Sequence, residues 1–229
     1  IESLFKAKDY LISPINTPQL FVEGNYYLTG QQEEIKNKII NGIDNREHKI
    51  WGIQGSAGTG KTLLLYDIAR TLGQMMRVCV IHSGILSQGH IELNSILREV
   101  DIIPVKECNE NLIRQYDCIL IDESQRLYQV DFDCIVKAFQ DLNIHCIFGY
   151  DYYQVLSYAE ENRNIPEQLN RLSFFCENKL SEKIRTNKEV ASFIKNVINL
   201  AHRPKRYMDY IFYNCLYRVF VDRDRNDFK

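Results

Sequence analysis

Short apolar runs alternate with longer amphipathic stretches along most of the chain. Runs at 50–53, 78–82, 118–121, 144–148 and 174–180 read as buried strands. Between them, apolar residues at helical spacing predict helices over 31–41, 61–72, 91–100, 133–141 and 188–201. The last is the clearest, because Val190, Phe193, Ile194, Val197, Ile198 and Ala201 recur on one face. Thr186 with Glu189 three residues later supplies it with a capping box. Strands that alternate with helices predict an α/β fold with a mostly parallel central sheet flanked by helices.

Composition narrows this picture only slightly. With 45% hydrophobic and 25% charged residues, the 229-residue chain can bury an ordinary core, so a folded globular protein is expected. A net charge of −2 and a pI near 6.3 give no overall basic footprint for nucleic acid, which leaves a local basic groove as the means of binding it. No apolar run approaches the roughly 18–20 residues that cross a bilayer, so no membrane association is expected. The first residues lack a charged-then-apolar signal pattern and an initiator Met, and the chain reads as part of a longer one. Its seven cysteines form no CxxC pair, and Cys118 and Cys146 sit inside strand-like runs. They read as reduced, buried thiols of a cytoplasmic protein rather than as zinc ligands or disulfides.

The chemistry concentrates in two segments. Gly55-Ser56-Ala57-Gly58-Thr59-Gly60-Lys61-Thr62 matches GxxxxGK[ST], with an apolar strand before it and an apolar helix after it. Glycines let such a loop wrap closely around phosphates, so that amide N–H groups and the helix N-terminus face the anion. Lys61 is then expected to reach the β- and γ-phosphates of ATP, and the Thr62 hydroxyl to ligate Mg²⁺. About 60 residues downstream, Ile119-Leu120-Ile121-Asp122-Glu123 is a buried strand that ends in two acids. Asp122 is expected to hold the Mg²⁺ shell through water, and Glu123 to polarise the attacking water. A carboxylate base beside the metal favours hydrolysis over transfer to a second substrate. A small-molecule kinase would also need a mobile arginine-rich lid, and nothing between Asp122 and Ile144 has that character.

From Asp122-Glu123-Ser124-Gln125 onward the chain resembles superfamily 1 helicase motors, whose second motif often reads Asp-Glu-x-Gln. Leu28-Thr29-Gly30-Gln31-Gln32 resembles their Q-motif, which implies that Gln32 reads the adenine. Gly149-Tyr150-Asp151-Tyr152-Tyr153-Gln154 resembles motif III with an additional Tyr150, and implies that Gln154 contacts the γ-phosphate and couples it to nucleic acid. Lys183-Ile184-Arg185-Thr186-Asn187 resembles motif IV, which implies that Arg185 stabilises charge on the transferring phosphate. Ile81-His82-Ser83-Gly84 with Gly89-His90, and Ile184-Arg185-Thr186-Asn187-Lys188-Glu189-Val190-Ala191, are similar to the Schlafen group 3-like DNA/RNA helicase family of prokaryotes. The resemblance covers about residues 25–200. It implies a RecA-like P-loop NTPase domain over 25–202, after a lead-in at 1–24 and ending with the motif IV exit helix. His202-Arg203-Pro204-Lys205-Arg206 reads as a boundary, with 203–229 the start of a second such domain, because motifs V and VI are not found in 201–229. On that reading the chain alone binds ATP, hydrolyses it slowly and does not translocate.

Simpler readings stand beside several of these. Gln32 also completes a capping box with Thr29. Arg185 can be an ordinary charge before a helix, and Gln154 an ordinary polar loop residue. His82 and His90 read as structural or groove-facing. Tyr150, Tyr152, Tyr153 and Tyr158 can stack on bases or pack under the sheet edge, with Tyr152 or Tyr153 the ring expected to stack on single-stranded DNA or RNA. At the level of the whole protein, two functions compete. One is a motor on single-stranded nucleic acid; the other is a P-loop switch that controls a partner protein or nuclease, as in a nucleic-acid-processing or antiviral defence assembly.

Overall fold

A computed structural model of the chain describes residues 12–47, 49–142, 144–154 and 157–181, all within one compact unit. The expected helix at 188–201, the boundary at 202–206 and the segment 203–229 lie outside the described residues. In chain order the elements are α1 (Pro18–Val22), α2 (Gly30–Asp44), β1 (Ile50–Gly55), α3 (Lys61–Gly73), β2 (Val78–His82), α4 (Gln88–Ile96) and β3 (Val100–Pro104). They continue with α5 (Glu110–Ile113), β4 (Cys118–Asp122), α6 (Gln129–Leu142), β5 (His145–Tyr150), α7 (Tyr158–Arg163), α8 (Ile165–Asn170) and β6 (Phe175–Leu180).

The six strands form one sheet in the order β3-β2-β4-β5-β1-β6, and every pairing is parallel. Parallel strands need crossovers, and here helices supply them on both faces, which is why the central strands β1, β2, β4 and β5 are mostly apolar and buried, while the edge strands carry Asp101 on β3 and Glu177, Asn178 and Lys179 on β6. Alternation along each strand divides the core in two. Cys118 and Leu120 of β4 pack with Trp51, Ile53 and Ile147 under α2, α3 and α4. Ile119 and Ile121 point the other way and pack with Cys146, Phe148 and the α6 residues Phe132, Ile135 and Phe139.

The expected strands at 78–82 and 118–121 appear with bounds equal to those predicted or one residue longer. The expected helix over 91–100 does not persist. It runs only to Ile96, and Val100 begins strand β3 instead. Ile91, Leu93, Ile96, Leu97 and Val100 do fall near helical spacing, but Val100, Ile102 and Pro104 are buried on alternate positions beside β2. Pairing with β2 outweighs the local periodicity there, and the Asn94 side chain secures the junction by accepting the Ile102 N–H at 2.7 Å. Proline ends β3, as suits an edge strand.

Since all six strands run the same way, the ends of β1, β2, β4 and β5 share one edge of the sheet. Ligands of open α/β sheets bind beyond that carboxyl edge. β5 lies between β1 and β4, so the loops after β1 and β4 face each other across the end of β5.

Candidate active site

The loop Ser56–Gly60 leaves β1 and enters α3 directly at Lys61. Gly58 (φ 85°) and Gly60 (φ 77°) occupy the left-handed region that residues with a Cβ enter only at a cost. Thr59 is buried, and its hydroxyl and amide both donate to the Ser56 carbonyl, at 2.9 and 3.2 Å. These bonds close the loop into a compact cradle. Ser56 is half-buried and Ala57 is exposed at its rim. Gly60 has no side chain with which to cap α3, so the first-turn N–H groups face the cradle as anion donors. Thr62 is the second residue of that turn.

Asp122 ends β4 and is buried, its carboxylate accepting the Glu123 N–H at 3.0 Å. Burial raises its pKa above the ordinary Asp value against the pull of Lys61, and the Glu123 charge adds to the rise. Glu123 then turns the chain with φ 55°. One of its oxygens accepts from the Lys61 ammonium at 3.2 Å, and the other accepts from Gln125 Nε2 at 2.7 Å. Arg126 Nε stands 3.9 Å from the second oxygen. Burial pushes the Glu123 carboxyl up, but Lys61, Gln125 and Arg126 together outweigh it and hold the group below the ordinary Glu value. The pair is therefore an ionised carboxylate facing a mostly buried ammonium at the mouth of the cradle.

Gln32 lies on the far side of the same loop, fully buried. Its Oε1 accepts the Thr29 N–H at 2.9 Å, and its backbone N–H donates to Thr29 Oγ1 at 3.3 Å, so the capping box forms. Its Nε2 also donates to the Thr59 carbonyl at 3.1 Å. The side chain thus joins the start of α2 to the phosphate loop, with both ends of its amide engaged inside the chain.

Asp151, just beyond β5, is buried and accepts the Tyr153 N–H at 2.9 Å. Gln154 follows, half-buried. The aromatic cluster separates into different environments. Tyr150 is core, with its hydroxyl donating to Glu177 at 2.7 Å. Tyr152 packs edge-on against Tyr150 and reaches the Pro166 carbonyl at 3.4 Å. Tyr153 is 86% exposed. The Tyr158 side chain and Arg185 lie outside the described residues.

His82 ends β2 in register with Asp122, and its ring centroid lies 4.4 Å from that of His90. His90 Nδ1 accepts the Ser87 N–H at 3.1 Å, a histidine in the third position of a capping box, which sequence reasoning did not assign. Gln125 was likewise read only as part of a motif. The motif itself was the available signal, but its two contacts come from residues on either side of β5, which spacing does not reveal.

A phosphate cradle at the end of β1, a carboxylate pair at the end of β4 and a strand between them define the chain as a P-loop NTPase of RecA-like fold. The family described as Schlafen group 3, DNA/RNA helicase domain, matches residues 48–214. The chain belongs to that family, and its domain is a helicase-type ATPase. No curated protein sequence matches it. Among solved structures it is similar to the two coordinating Pif1 helicases at forked double-stranded DNA, with a TM-score of 0.51 and 16% identity over 80% of this chain and 51% of that one. It also aligns with AMPPCP-bound DnaA from Aquifex aeolicus (TM-score 0.47, 19% identity, 84% of this chain and 60% of that one). Bacteroides Pif1 bound to single-stranded DNA aligns with a TM-score of 0.48 and 16% identity, over 80% of this chain and 49% of that one. The chain thus spans 49–60% of the length of these three structures. Among the described residues no helix is long and apolar enough to cross a membrane.

Proposed function

We propose that this domain binds ATP in the cradle of Gly55, Ser56, Ala57, Gly58, Thr59, Gly60, Lys61 and Thr62 and hydrolyses it to drive movement on single-stranded DNA or RNA. The observation that carries the reading is the Lys61–Glu123 pair at 3.2 Å, which sets the phosphate-binding cation against the carboxylate best placed to act as base. Incoming phosphates compete for Lys61 and so free one Glu123 oxygen. That oxygen accepts a proton from the attacking water as the water oxygen bonds to the γ-phosphorus and the bond to the β-phosphate oxygen breaks. Thr62 and Asp122 would hold Mg²⁺, Asp122 through water. They suit it because Asp122 is a buried acid beside a second acid, an environment that a divalent cation relieves. The metal would neutralise charge on the β- and γ-phosphate oxygens.

On this reading Gln154 contacts the γ-phosphate and Arg185 stabilises its developing charge. Gln32 fits as the link between α2 and the cradle, with contact to adenine requiring its amide to leave a present partner. The exposed ring of Tyr153 is the better candidate than Tyr152 for stacking on a base.

The decisive experiment measures ATP hydrolysis by the full-length protein without polymer, with single-stranded DNA and with single-stranded RNA, with Glu123→Gln as the inactive control. Strong stimulation by one polymer supports the motor. Turnover that neither polymer changes rejects it in favour of a P-loop switch acting on a partner protein or nuclease.

A further inference from the structure

A glutamate carboxylate rotates about a broad, shallow terminal torsion, so packing of the stem alone does not aim its oxygens. Hydrogen bonds must do so. Lys61 holds one oxygen of Glu123, and that contact is the one nucleotide phosphates take over. The other oxygen is held by Gln125, whose side chain is 1% exposed. The opposite end of the same amide, Oε1, accepts the backbone N–H of Asp151 at 3.3 Å. Asp151 is the first residue after β5 and opens the segment that carries Tyr152, Tyr153 and Gln154. Ser124 adds a second stitch between the same two loops, its hydroxyl donating to the Gly149 carbonyl at 3.2 Å. In the dry environment of Gln125, neither end of the amide can give up its partner cheaply.

We propose that Gln125 is a positioning residue that transmits the placement of the 151–154 segment to the Glu123 carboxylate, and so couples nucleic-acid loading to hydrolysis. The inference rests on the reading of Glu123 as the base. When Lys61 turns to the phosphates, Gln125 and Arg126 remain beside the carboxylate, and of the two only Gln125, at 2.7 Å against 3.9 Å, is close enough to aim it by a hydrogen bond. A strand that stacks on the exposed Tyr153 ring shifts the Asp151 N–H, which Tyr153 already grips through the Asp151 carboxylate. The amide follows its acceptor bond to Asp151 and carries the carboxylate with it.

The test uses the full-length protein and Gln125→Met, which keeps the length of the side chain and removes both hydrogen bonds. Steady-state hydrolysis is measured without polymer, with a thirty-residue oligo(dT) and with the matching oligo(U). The variant should keep its KM for ATP within about twofold while kcat falls about tenfold or more, and the ratio of stimulated to basal turnover should collapse to near one. A Gln125→Met protein with the wild-type stimulation ratio overturns the proposal. So does a wild-type protein that neither oligomer stimulates, since there is then nothing to transmit. Failure of the underlying reading is separately visible, because turnover retained by Glu123→Gln removes the base while leaving the Gln125 result in hand. If Gln125→Met does not fold, hydrogen exchange at the wild-type Asp151 amide decides. With a non-hydrolysable ATP analogue bound, its exchange rate should change about threefold or more when oligomer is added, and an unchanged rate overturns the coupling.

Discussion

Glu123 holds a left-handed backbone conformation, φ 55°, that costs a residue with a Cβ on the order of 1–3 kcal/mol. Lys61, Gln125 and the Asp122 carboxylate hold it there through three hydrogen bonds, at 3.2, 2.7 and 3.0 Å. Glu123→Gln removes the base and keeps the size of the side chain, though its NH2 end cannot accept and one of the bonds from Lys61 and Gln125 is lost. It should bind a fluorescent ATP analogue normally and lose about 10²–10⁴-fold in kcat. Lys61→Ala should instead abolish analogue binding, and retained affinity would contradict the placement of the phosphates. Gln32 serves both the start of α2 and the cradle. Gln32→Ala strands the Thr29 N–H and the Thr59 carbonyl, and should lower unfolding stability by about 1–3 kcal/mol in a denaturant titration. Gln32→Glu keeps the acceptor for Thr29 but loses the donor to Thr59. Its carboxylate faces the Thr59 carbonyl in a fully buried site, so it should cost at least as much stability as Gln32→Ala and weaken nucleotide affinity, whereas unchanged affinity would show that the contact with the cradle is idle.

At the scale of elements, α4 and β3 show how tertiary pairing redirects a local preference. The α4 cap depends on neutral His90, since only an unprotonated Nδ1 can accept the Ser87 N–H. Burial, and to a smaller degree the nearby His82, lowers the His90 pKa from 6.5 to about 4. The unfolded chain therefore binds a proton that the folded chain refuses. His90 should lower stability progressively as pH falls from about 6.5 to about 4, with no further loss from this group below that range. His90→Gln retains a capping-box acceptor that does not titrate. Urea unfolding of the two proteins at several pH values should show a difference that grows across this window. A constant difference would mean that His90 does not titrate between the two states. β3 also depends on α4, because Asn94 satisfies the Ile102 N–H. The expected helix over 91–100 missed this strand because apolar spacing alone does not distinguish the end of a helix from the start of an edge strand.

The described residues form a parallel sheet between two helical layers, and the stability and ligand response of that unit are properties of the arrangement. Leu120 lies in the middle of a central strand and is fully buried. Leu120→Ala should cost about 2–5 kcal/mol and lower the melting temperature without selective loss of nucleotide affinity. Saturation with an ATP analogue at about 100 times its Kd should stabilise the wild-type protein by about 2.7 kcal/mol, and Lys61→Ala should show none of that gain. Equal thermal shifts in the two proteins would mean that the ligand binds elsewhere.

Local spacing was sufficient for β2, α3 and β4 because their apolar residues are continuous and their ends carry sharp signals: the glycines before Lys61 and the acids after Ile121. The family was legible for the same reason, since its motifs are short and local. Spacing could not bring Lys61 and Glu123 together, because 62 positions separate them and only the order of strands places the loops after β1 and β4 at facing positions. Nor could it divide the tyrosines. Tyr150 and Tyr153 differ by three positions, yet one ring is buried against Glu177 and the other stands in solvent. A motif names the residue types a reaction needs. Which groups the two ends of an amide hold, as Gln125 holds the Glu123 carboxylate with one end and the Asp151 N–H beyond β5 with the other, is decided only when the sheet assembles.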